Sequence, residues 1–364
     1  MKRRLGISVY PEHSTSERDR DYLERAARLG FSRVFTCLLS VNGSAEETIE
    51  EFTGFIQMAH GLGFTVSVDT NEDVFKRLGA TPEDVGPFAR MGVDIIRLDG
   101  HFGDHGDIML TRNAAGIAIE FNASGNLPLD VLIERGADAR NMVVCHNFYP
   151  EPYTGLSEET FRTLSEKYRG MGLPVAAFVT SRVPGAFGPW PVLAGLPTCE
   201  DDRQRPIGLQ ARHLIASGLV DDILIGNCEA SDEELKELAE VDRSRVTLSI
   251  DLAPGVSAEE KQVIWGYQHV TRGDASAYML RSSWPRVDYR DVSISPRATG
   301  RAAFSRGDVL VVNDNMAHYR GELEVALQEI PDDGTRNLVG CIPERELFLL
   351  DYVKPEHPFG FIDL

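Results

Sequence analysis

The sequence predicts an α/β protein: a (β/α)8 barrel of the TIM type over residues 1–243, followed by a small, mostly β domain over residues 244–364. Three observations predict it. Eight short β-branched runs alternate with longer amphipathic stretches from residue 5 to about residue 240. The first run ends in Tyr10-Pro11-Glu12-His13, where an open doubly wound sheet would carry a glycine-rich phosphate loop. After about Ser244 the apolar runs stay short and only one clear helix signal remains, Ala258 to Tyr267.

The barrel strands are expected at Leu5 to Tyr10, Arg33 to Leu38, Thr65 to Asp69, Asp94 to Asp99, Gly116 to Asn122, Met142 to Asn147, Val175 to Thr180 and Asp222 to Asn227. Ser14 with Glu17 makes a capping-box pattern for the first helix, and Gly30 stands where a left-handed C-terminal residue is wanted. Thr81-Pro82-Glu83-Asp84 puts Pro in a first helical turn, and Ser157 and Ser231, each followed by acids, open two more helices. The connection from Ser181 to Gln204 is rich in Pro and Gly and too long for a plain βα turn, a sign of a functional loop. In the second domain, strands are expected at Val246 to Ile250, Tyr278 to Leu280, Asp291 to Ile294, Val309 to Val312, Leu323 to Leu327 and Leu347 to Leu350, as a small barrel or barrel-like sheet.

Composition narrows the partners. With 42% hydrophobic and 26% charged residues the chain reads as globular, and a formal charge of −19 disfavours nucleic acid and anionic membrane surfaces. Five scattered cysteines without a CxxC pair read as free thiols in a reducing compartment. The basic start Met1-Lys2-Arg3-Arg4 leads into a run too short for a signal peptide, and no apolar run approaches a membrane span, so a cytoplasmic location is expected. The sequons at Asn42 and Asn122 are then chance matches.

In a barrel of this kind catalytic groups sit at the C-terminal ends of the strands. Those ends carry Tyr10 and Glu12, Asp69, Arg97 and Asp99, Glu120 and Asn122, His146, Asn147 and Tyr149, and Asn227. Glu120 stands out, because a carboxylate between Ile119 and Phe121 in a buried strand is costly unless paired or used. No HxH or HExxH spacing accompanies the histidines, so no metal or other cofactor is expected. Several carboxylates without a nucleophile elbow or cofactor fingerprint fit glycoside hydrolysis best, which needs one acid for the leaving oxygen and a second carboxylate as base or nucleophile. A non-catalytic sugar-phosphate sensor and a metal-dependent aldolase or isomerase stay open as alternatives. Between Arg272 and Arg320 there are eight arginines, no lysine and five aspartates, a local positive excess suited to bidentate recognition of phosphate or carboxylate.

The opening Leu5-Gly6-Ile7-Ser8-Val9-Tyr10-Pro11-Glu12-His13-Ser14 resembles that of the bacterial 6-phospho-N-acetylmuramidases of the MupG type. So do Ile96-Arg97-Leu98-Asp99, Ile119-Glu120-Phe121-Asn122-Ala123-Ser124, Cys145-His146-Asn147-Phe148-Tyr149-Pro150, Gly188-Pro189-Trp190, Tyr278-Met279-Leu280-Arg281-Ser282 and Tyr319-Arg320-Gly321-Glu322-Leu323. Glu229 departs from the pattern, replacing a more usual aromatic or neutral residue. The resemblance implies a cyclophilin-like second domain and hydrolysis of N-acetylmuramic acid 6-phosphate-β-1,4-N-acetylglucosamine, a phosphorylated amino-sugar disaccharide, in peptidoglycan recycling. On that basis Glu120 and Asp99 are expected as the working pair, with Asp69 and Glu12 as alternates. Tyr10, Arg97, Asn122, His146, Asn147, Tyr149 and Asn227 would bind sugar, and Arg281, Ser282 and Arg320 the phosphate.

Overall fold

A computed structural model describes residues 3–41, 43–191 and 194–363. Met1 and Lys2 of the basic start, Asn42 of the first sequon, Val192 and Leu193 of the long connection, and Leu364 lie outside the described residues. The chain divides into two compact units, Met1–Val241 and Asp242–Leu364.

In the first unit eight parallel strands close into a barrel: Arg4–Ser8 (β1), Arg33–Cys37 (β2), Thr65–Thr70 (β3), Ile95–Leu98 (β4), Ala118–Asn122 (β5), Met142–Cys145 (β6), Val175–Val179 (β7) and Asp222–Ile225 (β8). Around it run Ser16–Arg28 (α1), Ala45–Gly61 (α2), Glu72–Leu78 (α3), Gly86–Met91 (α4), Gly103–Thr111 (α5), Leu129–Glu134 (α6), Glu158–Gly170 (α7), Ile207–Ser217 (α8) and Asp232–Glu240 (α9). The helices bury stripes at helical spacing, such as Tyr22, Leu23 and Ala26 of α1 and Phe52, Phe55, Ile56 and Ala59 of α2.

Ser157 and Ser231 cap α7 and α9 through the backbone N–H groups of Thr160 and Glu234, and Gly30 takes φ +84° after α1. Two expectations are corrected. A 3-10 turn at Pro11–His13 precedes α1, so the cap falls one residue later, on Thr15, which accepts from Arg18 N at 3.3 Å. Thr81 and Asp84 bond each other's backbones in a turn instead of opening a helix, and the Pro of the first turn of α4 is Pro87.

The second unit contains Val246–Leu252 (β9), Ala258–Trp265 (α10), His269–Val270 (β10), Met279–Ser282 (β11), Pro285–Asp288 (α11), Ala303–Phe304 (β12), Asp308–Val312 (β13), Leu323–Ala326 (β14), Ile330–Pro331 (β15), Arg336–Cys341 (β16) and Pro358–Asp363 (β17). Seven strands form one sheet in the order β10-β17-β9-β16-β13-β14-β11, antiparallel except for β9 with β17, and β12 pairs with β15 apart. Two predicted strands are absent. Ser293 and Ile294 are held by the Asp314 carboxylate, which bonds Ser293 Oγ at 2.5 Å and Ile294 N at 3.0 Å, in place of a strand neighbour. Leu347 to Leu350 lies in a 3-10 helix, Glu344–Tyr352, because an unbroken apolar run does not distinguish strand from helix. All five cysteines are free, and no helix among the described residues is long and apolar enough to cross a membrane.

Candidate active site at the barrel mouth

Side chains alternate across each barrel strand, and the pairing register fixes which alternate faces in. Cys37, Asp69, Arg97 and Glu120 are successive register partners from β2 to β5. All four are buried. Phe35, two residues from Cys37, meets Phe178 of β7 across the barrel at 5.2 Å between ring centroids, so this parity faces the interior. Because strands of a closed barrel are staggered, residues in one register line do not share one height. Asp69 stands next to the C-terminal end of β3, whereas Glu120 is the middle residue of β5.

Glu120 is held by a different arginine from Asp69. Its carboxylate is fully buried and turned toward the N-terminal end of the barrel, where Arg33 Nη2 lies 2.5 Å from both of its oxygens. Arg33, the first residue of β2, also donates to Asp222 Oδ2 of β8 at 2.6 Å, and Asp222 accepts from Arg4 as well. Gly6 clears the space: a Cβ there would stand 2.7 Å from Arg33 O and 2.3 Å from Leu224 Cδ2. Glu120 thus belongs to a four-residue ion cluster that plugs the barrel floor.

The mouth is organised around Arg97. Its Nη1 donates to Asp69 Oδ1 at 2.5 Å and lies 3.9 Å from Asp99 Oδ1, while its Nη2 donates to Asn147 Oδ1. Burial pushes the Asp69 carboxyl up to about 6, with Asp99 adding to the shift and Arg97 opposing it. Glu12, on the turn after β1, accepts from Ser40 Oγ at 2.5 Å through Oε1, and its buried Oε2 has no partner among the described residues. Burial raises this carboxyl too. The Cys37 thiol at the end of β2 is pushed up to about 12 by burial and then by Asp69, with a smaller push from Glu12. Asp99 is the accessible member, its side chain 43% exposed.

The other expected residues divide by strand parity. His146 points outward and is fully buried, its Nε2 2.8 Å from Ser165 Oγ of α7, and burial holds it down at about 3. Asn147, one residue on, faces the mouth. Tyr10 is buried and donates to Gly226 O at 2.5 Å. Asn122 spends its Oδ1 on Ser124 N, and Asn227 spends its amide on Thr180 and Ser181. Tyr149 remains half-buried at the rim.

The long connection folds over this end of the barrel. His13 Nε2 lies 2.9 Å from Pro189 O, Phe187 and Cys228 exchange backbone hydrogen bonds, and Tyr149 N donates to Pro197 O. It sets Trp190, 39% exposed, on an aromatic stack of Phe148, Phe178 and Phe35. A partly exposed indole set on such a stack can serve as a platform for the apolar face of a sugar ring. Sequence reasoning passed over Trp190 and Ser40 as site residues, although Trp190 stood in one of the resembling strings. A cavity of about 360 Å³ between the connection and the end of β7 is lined by Thr180, Ser181, Arg182 and Asn227 among others, with no acid among its described lining residues.

Comparison with known proteins bears on this arrangement. Residues 5–240 match the family described as "6-phospho-N-acetylmuramidase, N-terminal", and residues 246–362 match "6-phospho-N-acetylmuramidase, C-terminal". The chain belongs to the 6-phospho-N-acetylmuramidase family. It is similar to an uncharacterized B. cereus protein of known crystal structure, with 40% identity, TM-score 0.91 and 100% of each chain covered. It is also similar to a conserved Enterococcus faecalis protein of unknown function, with 25% identity, TM-score 0.69, and 99% of this chain and 96% of that chain covered. No curated protein matches it.

Within this family member the residues expected to hold phosphate are engaged inside the second unit. Arg281 Nε donates to the fully buried Glu322 at 2.5 Å, Arg320 pairs with Asp314, and Ser282 is buried against His269 Nδ1 at 2.9 Å. Among the described residues of this muramidase-family chain, Cys199, Asp202 and His213 are grouped closely enough to hold a metal. Their charges are otherwise satisfied: His213, pushed up to about 9, lies 2.8 Å from Asp202 and 2.9 Å from Glu158, and Arg205 binds the second Asp202 oxygen. That pattern is a buried imidazolium between two carboxylates.

Proposed function

We propose that this protein is a glycosidase that cleaves N-acetylmuramic acid 6-phosphate-β-1,4-N-acetylglucosamine into N-acetylmuramic acid 6-phosphate and N-acetylglucosamine, in the cytoplasm, during peptidoglycan recycling. The observation that carries it is a family match over both units joined to a carboxyl cluster at the barrel mouth. Five free cysteines accord with a reducing compartment.

Glu12 serves as the acid. Its Oε2 has no other partner and its burial favours the protonated form, as a group that protonates a leaving oxygen requires. Asp69 and Asp99, both held by Arg97, supply the negative charge opposite. The N-acetyl group of the muramyl sugar is a ready internal nucleophile, and this carboxylate pair would orient its amide and offset the positive charge that develops on it. Asn147 fixes the second arm of Arg97, and Trp190 and Tyr149 hold the sugar rings.

Incubation with the phosphorylated disaccharide, with and without EDTA, tests this reading. Release of N-acetylglucosamine in both conditions supports it. No release overturns it in favour of a binding protein, and release abolished by chelator transfers the chemistry to a metal.

A further inference from the structure

The arginine-only stretch is the part of the sequence that the barrel chemistry leaves unused, and the structure sorts its eight members. Arg272 pairs with Asp274, Arg281 and Arg286 with Glu322, Arg297 with Glu260, Arg301 with Asp308, Arg306 with Asp351 and Arg320 with Asp314. Arg290 alone of the eight has no ion-pair partner among the described residues, although its carbonyl accepts from Arg320 Nη1 at 2.9 Å. Arg290 lines a cavity of about 490 Å³ with Ser283, Arg286, Val287, Ala317 and His318. That volume is ample for a monosaccharide phosphate, and none of the described lining residues is acidic.

Arg286 is fixed in that wall. Its Nη1 donates to Glu322 Oε2 at 2.9 Å, its Nη2 donates to His318 O at 3.1 Å, and its guanidinium lies 4.3 Å over the Tyr319 ring. Glu322 is fully buried and shared between Arg281 and Arg286, and Arg281 also lies 3.9 Å from Glu324, so the paired guanidiniums are matched and the unmatched positive charge of the hollow is that of Arg290. A rigid arginine, an unpaired arginine, a serine hydroxyl and an imidazole around one hollow match a compact oxyanion better than any neutral ligand.

We propose that the cavity formed by Ser283, Arg286, Arg290 and His318 in the second unit is a binding site for the phosphomonoester of a phosphorylated sugar, in place of Arg281, Ser282 and Arg320. The choice of phosphate over another oxyanion rests on the function proposed above; the positive hollow itself does not.

Calorimetric titration of the full chain tests it with N-acetylglucosamine 6-phosphate, N-acetylglucosamine and N-acetylmuramic acid, which offer a phosphate, neither anion and a carboxylate. Only the phosphorylated sugar is expected to bind measurably. Arg290→Ala should weaken it tenfold or more and Arg290→Lys less, while Arg272→Ala, in an exposed pair with Asp274, leaves it unchanged. Equal binding of N-acetylmuramic acid would assign the hollow to a carboxylate, and failure to bind the phosphorylated sugar, or indifference to Arg290→Ala, overturns the site. If disaccharide hydrolysis is found but Arg290→Ala binds normally, the pocket is wrong and the hydrolase stands. If Arg290-dependent binding is found without hydrolysis, the reverse holds.

Discussion

Glu120→Gln separates a structural acid from a catalytic one. The substitution keeps the shape of the side chain and removes one negative charge from a cluster of Arg4, Arg33, Asp222 and Glu120 whose formal charges cancel. Arg33 and Glu120 are 2% and 0% exposed, so water cannot replace the lost charge. Removing one partner of a buried pair costs about 3–5 kcal/mol. Arg33 keeps Asp222 at 2.6 Å and Arg4 is 36% exposed, which places the cost at the low end, about 3 kcal/mol. For a unit of this size that lowers Tm by roughly 6–12 °C. The assay is urea and thermal unfolding beside kcat on the phosphorylated disaccharide, at a temperature where the variant is folded. Turnover within about threefold of the parent is expected, since the hydrogen bonds of this carboxylate go to Arg33 and it acts on Arg97 and Asp69 only through space. A double variant, Arg33→Met with Glu120→Leu, should recover part of the stability by removing both charges. An unchanged Tm with turnover reduced by orders of magnitude would refute the placement and return Glu120 to the reaction.

Four further outcomes are expected. Glu12→Gln and Asp69→Asn should each lower kcat by roughly 10²–10⁴ while KM stays within a few fold; retained turnover in either removes that residue from the reaction. Asp69 must act ionised, and its carboxyl sits at about 6 instead of 3.8, so kcat/KM should fall as pH drops through about 6; a limb nearer 4 contradicts this. Trp190→Ala should raise KM about fivefold, from roughly 1 kcal/mol of lost ring contact, with unfolding unchanged because the side chain is partly exposed. The fourth concerns His213, which is raised from 6.5 to about 9 by Asp202 and Glu158, against the opposing effect of burial. Its contribution to stability, about 3 kcal/mol, is complete below pH 6.5 and is lost as pH rises through 9. Urea midpoints at pH 6 and pH 9.5 should differ more in the parent than in His213→Gln; equal differences would mean that the imidazole is not the titrating group.

The barrel was legible because its signals are local. Alternating runs, serine caps and Gly30 each act within a few residues, and the observed strands fall within two residues of the expected ones. Parity was open to reading but was not applied at His146 and Asn147: with period two the adjacent pair cannot both face the mouth, yet both were expected to bind sugar. Depth was not legible, because height along the axis depends on stagger, which exists only once β8 pairs with β1. Arg33 and Glu120 stand 87 residues apart in sequence and meet through the barrel interior, so no local pattern announces the pair. The second domain shows the same limit from the other side. Its arginines were conspicuous as a group, but which of them were already neutralised depended on acids such as Glu260, Glu322 and Asp351, outside the stretch that drew attention. A charged residue read from sequence therefore identifies a functional site only after its long-range partner has been found or shown to be missing, and that comparison separates Glu120 from Glu12 and Arg281 from Arg290.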